Sequence, residues 1–147
     1  MKNLTLVFGL VVSLFFLSCK ENTTAQQIKL ISPEEVYDAV RDNQNLQLVD
    51  VRTKDEFGED HLKTAQNICV TDDDFKEKVA KLDKNEPIYV YCRSGKRSSN
   101  AAKILKEMGF KEIYDMEGGF LNWESQGLQE KSVNCFPNFL THYRNLS

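Results

Sequence analysis

The chain has 147 residues, of which 41% are hydrophobic and 28% are charged. These proportions are typical of one soluble globular domain and exclude a wholly disordered or membrane-embedded chain. The formal net charge of −3 and the pI near 5.5 argue against nucleic acid as the main partner.

An apolar run near the N-terminus predicts a signal peptide. Lys2 precedes residues 4–17, which are too few to span a bilayer comfortably and enough for a signal-peptide core. The run ends in a serine directly before Cys19, which resembles a bacterial lipoprotein signal with Cys19 as the lipid-modified first residue. We expect residues 1–18 to be a signal peptide and residues 19–27 a polar tether. An N-terminal lipid would then hold the domain on a membrane, facing the periplasm. An ordinary secretory signal is the alternative.

The next part of the chain alternates strands with helix-starting signals. Residues 28–31 predict a first strand, and Ser32, followed by proline and two acids, predicts a capped helix. Residues 46–51 are nearly all apolar, as expected for a second strand inside a parallel sheet. Thr53 then caps a short helical turn, and residues 65–70 predict a third strand.

The second half of the domain continues this alternation. The aspartates at 72–74 open a predicted helix, where they complement its positive end and face water; a cation site is the less favoured interpretation. A fourth strand over 87–92 leads through a polar loop into a helix from Ser98 onward, and a fifth strand follows at 113–114. The last helix carries Trp123, expected to be a core residue.

Strands that alternate with helices over about a hundred residues imply an α/β fold. We predict a mostly parallel five-stranded sheet with helices on both faces. Ligands in such sheets lie beyond the carboxyl ends of the strands, and Cys92 falls at the end of the fourth strand.

The loop after that strand combines a cysteine, cations and a helix start. Its backbone N–H groups can form an anion-binding nest around the Cys92 sulfur, since Gly95 permits a positive φ angle. The helix dipole and the cationic side chains favour the thiolate, which is the nucleophilic form of cysteine. The predicted substrate-binding residues are Arg93, Ser94, Gly95, Lys96, Arg97 and Ser98.

This loop, Cys-Arg-Ser-Gly-Lys-Arg-Ser, resembles the active loop of rhodanese-type sulfurtransferases. The resemblance covers roughly residues 28–130 and implies a single rhodanese-like domain. It leaves residues 131–147 as a tail, expected to form a short packed helix. Further motifs agree in order and spacing: Leu48-Val49-Asp50-Val51-Arg52 with Glu56-Phe57, His61-Leu62, Asn67-Ile68, and Glu117-Gly118-Gly119-Phe120 with Trp123.

The resemblance implies a reaction in two halves. Cys92 would attack the outer sulfur of thiosulfate or a similar small anionic donor, form a persulfide and release sulfite. A thiol or cyanide would then accept the sulfur. The resemblance implies no cofactor, and we expect a monomer. The alternative from another class is a periplasmic sulfur-carrier or docking module with little turnover of its own.

The number of residues between Cys92 and Arg97 helps to distinguish between two classes of substrate. Cys92 and Arg97 form Cys-x4-Arg, whereas cysteine phosphatases and related arsenate reductases use His-Cys-x5-Arg, and Tyr91 stands in place of the histidine. A loop shorter by one residue suits a sulfur atom better than a tetrahedral oxyanion. A phosphatase is therefore disfavoured.

The supporting residues have structural explanations beside functional ones. Asp50 is expected to hydrogen-bond the loop or pair with Arg97, with a solvated strand-end acid as the alternative. Arg52 and Glu56 match family positions, and we interpret them as a structural ion pair, with a catalytic pair as the alternative. His61 is interpreted as a packing and hydrogen-bonding residue.

The resemblance also has implications for two turns of the chain. Gly118 and Gly119 are expected to form a tight turn beneath the loop. Asp60 and Thr64 stand where the family usually has glycine, so we expect a differently shaped connection there.

The other cysteines and the histidines carry no metal signature. Cys69 is expected to be a small packed apolar residue, and a disulfide with Cys135 stays open. No cysteines have zinc-site spacing, and the only histidines are His61 and His142, so no metal site is expected.

Overall fold

A computed structural model of the protein describes residues 27–128. The strands are β1 (Gln27–Ile31), β2 (Gln47–Asp50), β3 (Gln66–Asn67), β4 (Ile88–Tyr91) and β5 (Glu112–Met116). The helices are α1 (Pro33–Asp42), α2 (Lys54–Glu59), α3 (Phe75–Val79), α4 (Lys96–Glu107) and α5 (Gly119–Ser125).

The strands form one five-stranded sheet in the order β1-β5-β4-β2-β3, and every neighbouring pair is parallel. The predicted sheet is confirmed. Val90 in β4 lies beside Val49 of β2 on one side and Asp115 of β5 on the other. Because all strands run the same way, their carboxyl ends meet at one edge, and Cys92 follows β4 there.

Helices cover both faces of the sheet, as predicted. On one face, α3 and α4 pack on the inward side chains of β2, β4 and β5. On the other face, α1 and α5 enclose a second apolar cluster around Trp123, which is fully buried. The sheet is therefore anchored from both sides, which fixes the position of its carboxyl edge.

Two helices begin with reciprocal capping, as their sequences predict. The Ser32 hydroxyl accepts from the Glu35 N–H at 3.3 Å, and the Glu35 carboxylate accepts from the Ser32 N–H at 2.8 Å. Thr53 and Glu56 form the same pair of bonds at the start of α2. Glu56 is thereby held in place by its own helix.

β3 is shorter than the predicted strand over residues 65–70. The Ile68 N–H still donates to the Asp50 carbonyl at 3.0 Å, whereas the Val70 N–H donates to the Val51 carbonyl at 3.2 Å, so the regular pairing with β2 ends after Asn67. The Asn67 side-chain amide donates to the carbonyls of Asp50 at 3.0 Å and Arg52 at 2.9 Å.

The helix after the loop begins at Lys96, earlier than the predicted Ser98. Gly95, at φ 96°, is its N-cap. Lys96 and Arg97 therefore belong to the first turn of α4 and not to the loop. β5 extends over Glu112–Met116 and is longer than predicted.

The connection after α2 keeps a glycine-like backbone at one of the two positions where glycine is replaced, so the expected change of shape stays a prediction. Thr64 adopts φ 68°, in the left-handed region that favours glycine. The Asp60 carboxylate accepts from the His61 N–H at 2.9 Å. The His61 ring stacks on Phe57 at 3.7 Å, and its Nδ1 lies 2.9 Å from the Phe57 carbonyl oxygen, which confirms a packing and hydrogen-bonding role.

Several predictions concern residues outside the described range. These are the signal peptide, Cys19, most of the tether, the last two residues of the predicted domain, the tail over 131–147, Cys135 and His142. Within residues 27–128, every helix falls short of the length and apolarity that crossing a bilayer requires.

Candidate active site

Cys92 lies immediately after β4 and is 1% exposed. The Gly95 N–H donates to its Sγ at 3.1 Å. The φ of 96° at Gly95, in the left-handed region that favours glycine, lets the chain turn directly from this N–H into α4. Since Gly95 also caps α4, the sulfur faces the positive end of that helix.

The first turn of α4 is hydrogen-bonded to the last residue of the loop. Ser98 is fully buried, and its hydroxyl donates to the Gly95 carbonyl at 3.0 Å. The Ser99 N–H donates to the same carbonyl at 2.9 Å. The peptide on each side of Gly95 is thereby oriented, one toward the thiol and one into the helix.

Helix α5 holds the other end of the loop. The Phe120 N–H donates to the Cys92 carbonyl at 2.7 Å, and the Leu121 N–H donates to the Arg93 carbonyl at 3.0 Å. Gly118 and Gly119 form the predicted tight turn, with φ 69° and 61°. A Cβ on Gly119 would lie 2.3 Å from the Cys92 carbonyl oxygen, so only glycine permits this approach.

An ion pair joins α2 to α4 beside the loop. Arg97 donates to the two carboxylate oxygens of Glu56 at 2.6 and 2.7 Å. These bonds lower the pKa of Glu56 to about 2, with the Thr53 hydrogen bonds as further causes. The expectation that Asp50 could be the partner of Arg97 is therefore wrong. Arg97 is also partly neutralised, whereas Arg93 and Lys96 are exposed.

Asp50 pairs with Arg52. Its side chain is 0% exposed, and its carboxylate accepts from Arg52 Nε at 2.8 Å, from a terminal guanidinium nitrogen at 2.6 Å and from the Arg52 backbone N–H at 2.8 Å. The alternative of a solvated acid is also wrong, because the strand end is covered. The guanidinium lies 4.3 Å from the Phe120 ring centroid and donates to the Asp60 carbonyl at 2.6 Å. Arg52 thus has a structural role, with a partner other than Glu56.

Tyr91, in the position of the phosphatase histidine, is fully buried. Its hydroxyl accepts from the Leu62 N–H at 3.1 Å. Burial, with the nearby Asp50 carboxylate, raises the pKa of Tyr91 well above its usual value. A neutral phenol therefore stands directly before Cys92.

Cys69 is the other described cysteine. It is buried, as predicted, and has no disulfide partner within residues 27–128. Its Sγ lies 3.1 Å from the Thr71 hydroxyl, so its surroundings are not wholly apolar.

Sequence reasoning missed two features of the site. The backbone N–H donors of Phe120 and Leu121 have no side-chain signature, so only the Gly118-Gly119 pair pointed to this turn. The buried Asp115 was also missed. Its period-two spacing from Ile113, an inward residue of β5, could have placed it on the interior face.

We predict that Gly119→Ala destabilises the fold by at least about 2 kcal/mol, because the added methyl group meets backbone and φ becomes strained. The matched control is Gly58→Ala in α2, where a Cβ has nothing within 4 Å. It should leave stability unchanged or raise it by about 0.5–1 kcal/mol. Urea unfolding would measure both. Equal stabilities for the two variants would contradict the close approach.

We predict that Glu56→Gln lowers the free energy of unfolding at pH 7 by about 1–2 kcal/mol, a value reduced for partial solvent exposure. Glutamine can still cap α2, so the loss reports the charge. Because the folded pKa is about 2 and the usual value is 4.5, the contribution is complete above pH 4.5 and is lost as pH falls toward 2.

Unfolding curves from pH 2 to 7 would test this, with Glu77→Gln as the control. Glu77 forms an exposed pair with Lys81 at 3.6 Å, and its removal should cost less than about 0.5 kcal/mol. A loss at Glu56→Gln that does not change with pH would show that the ion pair is not its cause.

Comparison with known proteins agrees with this geometry. Residues 32–126 match the model of the rhodanese-like domain. The chain is 35% identical over 97 residues to the thiosulfate sulfurtransferase GlpE of Coxiella burnetii, covering 66% of this chain and 88% of the relative. It is 32% identical over 98 residues to GlpE of Actinobacillus pleuropneumoniae, covering 67% and 88%.

Solved structures give the same result. The crystal structure of a rhodanese-like domain protein from Staphylococcus aureus matches with a TM-score of 0.60 and 30% identity, covering 71% of this chain and 99% of that chain. The match with a family model over most of the domain, together with these relatives, shows that the chain belongs to the rhodanese-like domain family.

Proposed function

We propose that this protein is a sulfurtransferase that carries a sulfane sulfur as a persulfide on Cys92. The observation that carries the proposal is the Gly95 N–H on the Cys92 sulfur at the N-terminus of α4. Both features favour an anion on that sulfur. Relatives named thiosulfate sulfurtransferase support thiosulfate, or a similar anionic thiosulfonate, as the donor.

In the first half-reaction, the Cys92 thiolate attacks the outer sulfur of thiosulfate. The new Sγ–S bond forms as the S–S bond of thiosulfate breaks, and sulfite leaves with the electron pair. The persulfide that remains is itself an anion, so the Gly95 N–H and the end of α4 stabilise it as they stabilise the thiolate. Exposed Arg93 and Lys96 draw the anionic donor toward the loop.

In the second half-reaction, an acceptor attacks the terminal sulfur of the persulfide. The Cys92–sulfur bond breaks, and its electron pair returns to Sγ as thiolate. Cyanide becomes thiocyanate, and a thiolate acceptor becomes a persulfide. The charge returns to the atom where it began, so the step needs no separate general base.

The position of Arg97 argues against phosphate chemistry. An arginine that recognises phosphate must present its donors to the ligand, whereas Arg97 directs two of them at Glu56. The almost complete burial of Cys92 likewise favours a donor that offers a single protruding sulfur atom.

We predict that Cys92→Ser loses at least about 99% of thiocyanate formation from thiosulfate and cyanide, since an alcohol is a poor sulfur nucleophile. Cys69→Ser is the matched control and should retain most of the activity, because Cys69 has no part in the mechanism. Equal rates for wild type and Cys92→Ser would eliminate the nucleophile.

Intact mass of the purified protein distinguishes the sulfur-carrier alternative. A mass increase of one sulfur atom on Cys92, together with negligible turnover, would favour a carrier that exchanges sulfur with a partner protein.

We also propose that Cys19 carries a lipid that holds the domain on a bacterial membrane, on the basis of the apolar run before it. Cys19→Ser should then move the protein from the membrane fraction to the soluble fraction of a bacterial host. Lys20→Ser, one residue further on, should leave the distribution unchanged. Retention of Cys19→Ser in the membrane fraction would contradict lipid attachment.

A further inference from the structure

Arg52 is the only lysine or arginine within residues 27–128 that is buried, with 4% of its surface exposed. Burial of a cation costs free energy unless an opposite charge and hydrogen bonds compensate for it. The Asp50 carboxylate supplies the opposite charge, and the Asp60 carbonyl accepts a further bond at 2.6 Å. These bonds use the edge of the guanidinium group, so its flat faces remain available for other contacts.

The guanidinium group contacts two aromatic rings that belong to neighbours of Cys92. Its central carbon lies 4.3 Å from the Phe120 ring centroid and 5.7 Å from the Tyr91 ring centroid. Cations are attracted to aromatic rings at such distances. Tyr91 directly precedes Cys92 in the chain, and the Phe120 N–H donates to the Cys92 carbonyl at 2.7 Å. Arg52 therefore contacts one residue that is bonded to Cys92 and one that is hydrogen-bonded to it.

The end of β2 fixes the position of the guanidinium group. Asp50 accepts from Arg52 Nε at 2.8 Å, from a terminal nitrogen at 2.6 Å and from the Arg52 backbone N–H at 2.8 Å. The Val51 N–H, between these two residues, donates to the Tyr91 carbonyl at 2.9 Å and joins this segment to the end of β4. A ring that packs on the guanidinium group is therefore held relative to the point where Cys92 begins.

Phe120 links the position of its ring to the position of a hydrogen-bond donor. It is the second residue of α5, and N–H groups in the first turn of a helix have no acceptor within the helix. The Phe120 N–H uses the Cys92 carbonyl instead. Because ring and N–H belong to one residue at the start of a helix, a displaced ring would displace the donor. Three residues after Cys92, the Gly95 N–H donates to the thiol at 3.1 Å.

We propose that Arg52 is a positioning residue for Cys92, because its guanidinium group holds the Phe120 ring and thereby keeps the Phe120 N–H on the Cys92 carbonyl. The fixed carbonyl in turn keeps the Gly95 N–H directed at the thiol. Every contact from Asp50 to the sulfur is a measured distance between atoms or to a ring centroid. This inference rests on the proposed role of Cys92 and adds the residue that orients its loop.

The rate of Cys92 alkylation by iodoacetamide, measured from pH 5 to 10, tests the proposal without requiring sulfur transfer, since the thiolate is the reacting form. The readout is the midpoint of the curve. Trypsin releases Cys92 in the peptide spanning 85–93, separate from Cys69 in the peptide spanning 64–76, so mass spectrometry can follow each thiol in the full chain. If the variants shift the midpoint as expected but the wild type makes no thiocyanate, the proposed function fails and the positioning role stands.

Two single variants and their combination are compared with wild type. Phe120→Leu removes the ring but keeps the backbone N–H and the Asp50–Arg52 pair. Arg52→Lys keeps the charge beside Asp50 but loses the flat guanidinium group. Each should raise the midpoint by about 0.3–1 on the pH scale, the range expected for one weakened hydrogen bond to the thiolate. The double variant should show no more than the larger single effect, because both changes act on one contact.

Val40→Ala is the matched control. Val40 lies on α1 and is buried in the same apolar cluster as Phe120. Its truncation should lower the unfolding temperature but leave the Cys92 curve at the wild-type midpoint. A residue that only stabilises the fold would behave in the same way. Cys69 serves as a reference within each sample, and its curve should be the same in every variant.

Three results would overturn the proposal. A wild-type midpoint in Phe120→Leu would show that the ring does not position the thiol, and this result does not require Arg52→Lys to fold. Additive shifts in the double variant would show that Arg52 acts by a route other than the ring. A shift in Val40→Ala as large as that in Phe120→Leu would show that any loss of stability disturbs the loop.

Discussion

The loop that follows β4, residues 92–95, depends on a contact between its backbone and the backbone of α5. Helix α5 donates the N–H groups of Phe120 and Leu121 to the carbonyls of Cys92 and Arg93. This is possible only because Gly119 has no side chain at the point of closest approach. The contact orients the peptides that follow β4, so the chain reaches Gly95 from a fixed direction. The hydrogen bond from Gly95 to the thiol is a consequence of that orientation.

Two ion pairs support this contact from different sides. Asp50 and Arg52 are buried, and Arg52 covers the Phe120 ring, so the end of β2 is joined to the start of α5. Glu56 and Arg97 join α2 to the first turn of α4. The Asp50–Arg52 pair therefore stabilises the start of α5, which contacts the loop, and the Glu56–Arg97 pair stabilises the first turn of α4, which follows the loop. Because Arg97 is used in this way, the free positive potential at the loop mouth comes from Arg93 and Lys96 within the described part of the chain.

The sequence was sufficient to predict a structural feature wherever the residues that determine it lie close together in the chain. Ser32 and Thr53 cap their helices because the required glutamate is three residues away, and the position of Cys92 follows from the apolar strand before it. Partner choice between ion pairs could not be predicted, because Glu56 and Arg97 are 41 residues apart and Arg52 had two plausible acids nearby. The early end of β3 could not be predicted either, since it reflects how the Val70 N–H pairs with the carbonyl of Val51, which lies beyond the end of β2.

Burial of the thiol has a chemical consequence for a persulfide carrier. Cys92 Sγ is almost closed to solvent, so a bulky acceptor cannot reach it directly. A persulfide on Cys92, as we propose, would place the reacting sulfur about 2 Å beyond Sγ, one S–S bond length away. The proposed first step would then require a slim donor, while the second step would use a sulfur that is farther from the buried Sγ. On this proposal, one site would exclude large thiols before it carries sulfur and accept them afterwards.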